Sequence, residues 1–228
     1  MYQRLPSVPT QSKEYYIELT DNNLPFGSLP NTVVGAMSLI IPKKDASLSS
    51  ELMPIPLVTR MPEKIKRIVD ISTQDADMIM RNRVRKTGSL SSGMRSSYKS
   101  LSPEKQKEEM EKSVSGSYKN PIKLQAVSFK GLDQLVDSVE YDYECVIKNE
   151  LIEVGDLRMF RIPYGDAIAT IDNFSAETRK FPLEYWRYED VEEYETVVNI
   201  KIPSGKKIAE VPADQTFTFN KSTYSLKF

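Results

Sequence analysis

Strict alternation of apolar and polar residues dominates this chain of 228 residues. Val139, Tyr141, Tyr143, Cys145 and Ile147 alternate with polar neighbours, and so do Tyr194, Thr196, Val198, Ile200 and Ile202. A period of two marks a half-buried strand. The stretch from Ile65 to Ser72 predicts another strand, and Asp77 to Lys86 a further one with two unlike faces. Met78, Met80, Asn82 and Val84 fall on one face; Arg81, Arg83 and Arg85 fall on the other. Near the start, Tyr15 to Leu19 reads as a strand, and Val33 to Ile41 as the best-buried strand of the N-terminal part.

Turn residues punctuate this pattern. Gly155-Asp156, between Val154 and Leu157, signals a hairpin. Phe217 and Phe219, then Tyr224, Leu226 and Phe228, predict a closing hairpin about Asn220-Lys221. Gly88 to Gly93 is rich in Ser and Gly and reads as a turn, with Met94 to Ser100 returning as a partner strand. One helix is predicted near 103–115. Ser102 can cap it, Pro103 suits its first position and Gly116 can end it. Only Met110 and Val114 form an apolar stripe, which places the helix at the surface.

Seven prolines up to residue 60 break the N-terminal part into short pieces: Pro6, Pro9, Pro25, Pro30, Pro42, Pro54 and Pro56. Residues 43–54 read as a loop or linker, which divides the chain into 1–55 and 56–228. Many short strands with one surface helix predict a mainly β chain, with a β-sandwich-like domain over 56–228.

Composition then removes most chemistry. The 31 basic and 32 acidic residues leave a formal charge of 31 − 32 = −1, without the basic excess of a nucleic-acid binder. There is no histidine, and Cys145 is the single cysteine. A Ser-His-Asp or Cys-His site, a zinc site of Cys and His ligands and an internal disulfide are therefore all unavailable within this chain. No P-loop or Gly-x-Gly-x-x-Gly is present. The longest apolar stretch, Val33 to Ile41, is far short of the roughly 20 residues that span a bilayer. Residues 1–12 lack a signal-peptide pattern. Neither a cofactor nor membrane insertion is expected.

Several residue groups could still bind something. Arg81, Arg83 and Arg85, with Lys86 and Arg95 nearby, form either an anion-binding face or a solvated face paired with an acidic strand. Such charge would also protect an edge strand from mispairing. Glu189, Asp190, Glu192, Glu193 and Glu195 make an acidic run without calcium-loop spacing. Tyr185, Trp186, Arg187 and Tyr188 are a candidate binding cluster, since such residues stack on sugars and anchor protein interfaces. Cys145 reads as a buried structural thiol. A glycosidase built on two carboxylates would need them to converge in a cleft.

Two strings carry a family resemblance. Ile17-Glu18-Leu19-Thr20-Asp21, then Leu24-Pro25-Phe26-Gly27, resembles the end of the catalytic core in bacterial transglutaminase-like multidomain proteins, a group common in Bacteroidetes. Arg179-Lys180-Phe181-Pro182-Leu183 and Ile200-Lys201-Ile202-Pro203-Ser204-Gly205, followed by Val211-Pro212, resemble the trailing β-domain of the same group. Active members resemble papain-like enzymes, with a Cys nucleophile, a His base and an acid that orients the His. By this resemblance Glu18 matches the orienting acid. The His slot falls near Gln3, where no His stands, and the nucleophile slot falls upstream of Met1. The resemblance therefore implies that residues 1–55 are the tail of such a core, and that 56–228 form a non-catalytic C-terminal module. That module would support a catalytic core or bind a protein or glycan partner, in the periplasm or at the cell surface. The alternative is an independent extracytoplasmic binder of peptide or carbohydrate.

Overall fold

The structure, a computed structural model, describes residues 2–4, 16–30, 33–41, 50–55, 63–162, 193–219 and 222–228. In chain order the elements begin with two short antiparallel pairs. These are β1 (Tyr2–Arg4) with β2 (Tyr16–Glu18), and β3 (Met37–Ile40) with β4 (Glu51–Pro54). Next come β5 (Lys64–Gln74), β6 (Asp77–Thr87), α1 (Ser89–Tyr98) and α2 (Pro103–Ser115). They are followed by β7 (Ile122–Lys130), β8 (Ser138–Ile147), β9 (Ile152–Val154) and β10 (Leu157–Met159). The described elements end with β11 (Glu193–Ile200), β12 (Gln215–Phe219) and β13 (Ser222–Leu226).

The chain is mainly β, as its alternation predicts. The largest sheet has five strands in the order β11-β5-β6-β8-β7, and β11 runs parallel to β5 while the other neighbours are antiparallel. One face of this sheet is the core. Ile65, Val69, Ile71, Met78, Met80, Val84 and the alternating set from Val139 to Ile147 are buried there. Tyr98 of α1 and Met110 and Val114 of α2 join the same core, so the layer laid on this face is helical. The expected hairpins are present: β9 and β10 turn at Gly155-Asp156, and Phe217 of β12 pairs with Tyr224 of β13. The tip of the second hairpin lies outside the described residues. No helix among the described residues is long and apolar enough to cross a membrane.

The helix predicted near 103–115 forms with the expected signals. Ser102 accepts a hydrogen bond from the Lys105 backbone N–H at 3.4 Å, Pro103 opens the helix, and Gly116 caps its C-terminus. Residues 88–100 depart from expectation, forming helix α1 where a turn and a strand were predicted. The reason is a distant residue. Gly88 gives no side-chain cap, but the buried Glu63 carboxylate accepts from the Ser89 and Leu90 backbone N–H groups at 2.9 and 3.2 Å. That supplies the acceptor and the negative charge that a helix start favours.

Residues 33–41 also differ. Val33 to Gly35 form a turn, with Gly35 at φ 74°, and only Met37–Ile40 extend as a strand. Val34 is buried in a small second core with Tyr16, Leu29 and Ile55, whereas Met37, Leu39 and Ile41 are exposed. The expected linker at 43–54 ends in a strand, β4, which supplies the partner for β3.

Candidate functional site

The sheet fixes the surroundings of the β6 arginines. Arg81, Arg83 and Arg85 stand opposite Glu144, Asp142 and Glu140 of β8. Arg83 pairs with Asp70 of β5 at 2.7 Å, and Arg85 approaches Glu140 at 3.8 Å. This is the solvated face paired with an acidic strand. It is not an edge, because β6 is flanked by β5 and β8. Arg95 does not belong to this face at all. It projects from α1 and is 1% exposed.

The other expected groups distribute as follows. Glu193 and Glu195 open β11 and pair with Lys64 and Lys66 across the parallel ladder. Among the described residues no group of three acidic or Cys side chains could hold a metal ion. Tyr185, Trp186, Arg187 and Tyr188 lie outside the described residues, as do Glu189, Asp190 and Glu192. Cys145 is fully buried on the core face, and burial pushes its thiol up to about 12, with Glu144 adding to the shift. Glu18 ends β2, where its carboxylate accepts from the backbone N–H and the hydroxyl of Thr20.

The structure brings together a set of residues that the sequence reading did not assemble. On the core face of the sheet, two positions of the alternation are polar. Arg67 stands between Ile65 and Val69 on β5, and Asn82 between Met80 and Val84 on β6. Both are buried, at 5% and 1% exposure. The Arg67 guanidinium donates to the Asn82 side-chain carbonyl at 3.4 Å, and the Asn82 amide nitrogen has no partner among the described residues. Beside them opens a cleft of about 460 Å³ between the sheet and the helical layer. It lies within the range of roughly 300–1,000 Å³ typical of small-molecule sites.

Tyrosines form much of its wall. Tyr98, Tyr118, Tyr141 and Tyr143 all line the cleft. Three of them belong to an aromatic row in which Tyr98 meets Phe129 at 4.7 Å between ring centres, Phe129 meets Tyr141 at 5.9 Å, and Tyr141 stacks on Tyr143 at 6.4 Å. Burial raises the Tyr118 phenol well above its ordinary range, so it stays neutral and donates to the Met80 sulfur at 3.4 Å. Among the described residues its charged lining is Arg67, Lys86, Lys119, Arg161 and Glu150. Glu150 is held by the Asn120 amide at 2.8 Å.

A shallower hollow of about 280 Å³ lies around Glu18, Asp21, Phe26 and Leu135. Its segment is fastened to α1 at two points. The Ser92 hydroxyl donates to the Asp21 carboxylate, and Arg95 Nη1 donates to the Asn23 carbonyl at 3.1 Å. Arg95 also donates to Gly131 at 3.1 Å, Val136 at 2.6 Å and the Ser91 hydroxyl at 2.8 Å. One buried guanidinium thus ties together α1, the loop before β8 and the N-terminal segment. In comparisons with protein families, curated proteins and solved structures, nothing matches this chain.

Proposed function

We propose that this chain is the non-catalytic C-terminal β module of a bacterial transglutaminase-like protein, acting at the periplasm or cell surface to support a catalytic core. The observation that carries this reading is the anchorage of the segment that resembles the end of such a core. Asp21 and Asn23 lie within that segment, and the buried Arg95 and the Ser92 hydroxyl hold them on α1. A module that grips the last stretch of a core through a buried guanidinium fixes the two relative to each other. Glu18, which matches the orienting acid, folds back on Thr20, and no histidine exists in this chain for it to orient. The reacting Cys and His are then expected upstream.

The test is the intact mass of the native protein from its source cells, with peptide mapping. The reading predicts a mass well above 26.0 kDa, with upstream residues that include a Cys and a His. A native mass of 26.0 kDa would overturn it and leave the second reading, a free-standing extracytoplasmic binding protein. The tyrosine-lined cleft favours that second reading.

A further inference from the structure

We propose that residues 201–228 form an arm through which this chain pairs with a second copy of itself, each arm seating its aromatic hairpin on the apolar face of β9 and β10 in the other copy. This goes beyond the accessory role, and it holds whether or not the chain is part of a larger enzyme.

The first ground is the exposure of an ordered segment. The five-stranded sheet ends with Ile200 of β11, and the Lys201 backbone N–H then donates to the Ile71 carbonyl at 2.8 Å. Beyond that tie, the hydrogen bonds of the arm among the described residues stay within the arm. Lys206 donates to Pro203 at 3.1 Å, the Thr216 and Ser225 hydroxyls meet at 3.2 Å, and Phe228 N–H donates to the Asp214 carboxylate at 3.0 Å. Every residue from Lys201 to Thr218 is exposed. Ile202, Ile208, Val211, Phe217, Tyr224 and Phe228 are between 38% and 59% exposed. Apolar surface left open over a whole segment marks an interaction site.

The second ground is the hairpin of β12 and β13. Phe217 stands opposite Tyr224, with ring centres 6.4 Å apart, on one face. Thr216 and Ser225 place hydroxyls on the other. A lone two-stranded hairpin is marginal in water and is completed by packing its apolar face on something. Solvent-exposed edges usually carry charge or proline that discourages another chain from approaching. The other two-stranded sheets of the described residues do so, with Arg4 and Glu18, with Glu51, and with Glu153 and Arg158. β12 and β13 contain no charged residue and no proline.

The third ground selects a second copy as the occupant, because this chain carries the matching surface. Ile152, Val154, Leu157 and Met159 share one face of the β9–β10 hairpin and are 48–59% exposed, while Glu153 and Arg158 pair at 2.7 Å on the other. Aliphatic side chains and a Met thioether suit aromatic rings. Charge complements the fit. Residues 201–228 hold five lysines against Glu210 and Asp214, a charge of 5 − 2 = +3. The whole chain carries −1, so residues 1–200 carry −1 − 3 = −4. An arm of one sign meets a body of the other, which steers the encounter. With one arm and one seat on each copy, reciprocal exchange covers both apolar faces and closes as a two-fold pair.

The test is sedimentation equilibrium of the 228-residue chain up to about 100 µM. The proposal predicts a dimer at twice the chain mass of 26.0 kDa. Phe217→Lys combined with Tyr224→Lys should weaken pairing about thirtyfold or more, and so should Val154→Lys combined with Leu157→Lys. Both pairs of substitutions lie on exposed faces, so the unfolding midpoint should stay in place. A monomer throughout the range would overturn the proposal, and flotation of that monomer with phosphatidylglycerol vesicles would assign the arm to an anionic membrane surface instead. Pairing left undiminished by either double variant, or a mass that climbs past the dimer, would also overturn it.

Discussion

The carboxylate of Glu63 fills the space that a side chain at Gly88 would take. A Cβ placed on Gly88 would sit 2.7 Å from Glu63 Oε2 and 2.8 Å from its carboxyl carbon, and Gly88 has φ 64°. The two residues together start α1, one by leaving room and the other by accepting the first backbone N–H groups. Gly88→Ala must both strain the backbone and push the cap away. It should cost about 1–3 kcal/mol, read by urea unfolding. Glu63→Ala removes the acceptor and should cost about 1–2 kcal/mol.

This relationship also explains what the sequence hid. Residues 88–93 contain three serines and two glycines, a composition that favours turns and is weak for helices. The helix start is determined by Glu63, twenty-five or more residues earlier, and no local pattern reveals that. By contrast, α2 was legible because Ser102, Pro103 and Gly116 are all local. The strands of the main sheet were legible because alternation is local too. The cleft was half legible: Arg67 and Asn82 interrupt two apolar faces and mark positions where the core tolerates polarity. Which loop and helix residues would meet them depends on how the helical layer lies on the sheet, which the chain pattern does not encode.

Arg95 provides the second prediction. Replacing this buried guanidinium with Met leaves the carbonyls of Asn23, Gly131 and Val136 without their donor. The expected loss is about 3–5 kcal/mol of stability. Limited proteolysis should then cut first within 16–30 and 131–137, the two segments that lose their tie. Cleavage elsewhere at wild-type rates, with no new cuts in these segments, would contradict this role.

Acid stability should depend on Asp70. The hydrogen bond from Asn199 lowers its pKa most; burial opposes it, and the charge and hydrogen bond of Arg83, with the charge of Arg81, lower it further. A depressed carboxyl pKa stabilises the fold fully above the unfolded value of about 3.9, and that stability is lost as pH falls through the folded value. Asp70→Asn should therefore be less stable than wild type at neutral pH, with the gap closing below about pH 4. Chemical denaturation across that range reads the difference directly.

Cys145 should be silent in the folded protein. It is fully buried, with its thiol pushed up to about 12, so almost no thiolate exists near pH 8. A disulfide reagent at pH 8 should label no thiol in buffer and one thiol per chain in denaturant. Rapid labelling of the native protein would show that the core face opens beneath the helices.

The central proposal is that this chain serves a catalytic core, and the intact mass of the native protein from its source cells, with peptide mapping, tests it most directly. The predicted result is a mass well above 26.0 kDa, with upstream peptides that contain a Cys and a His. A native mass of 26.0 kDa would contradict it.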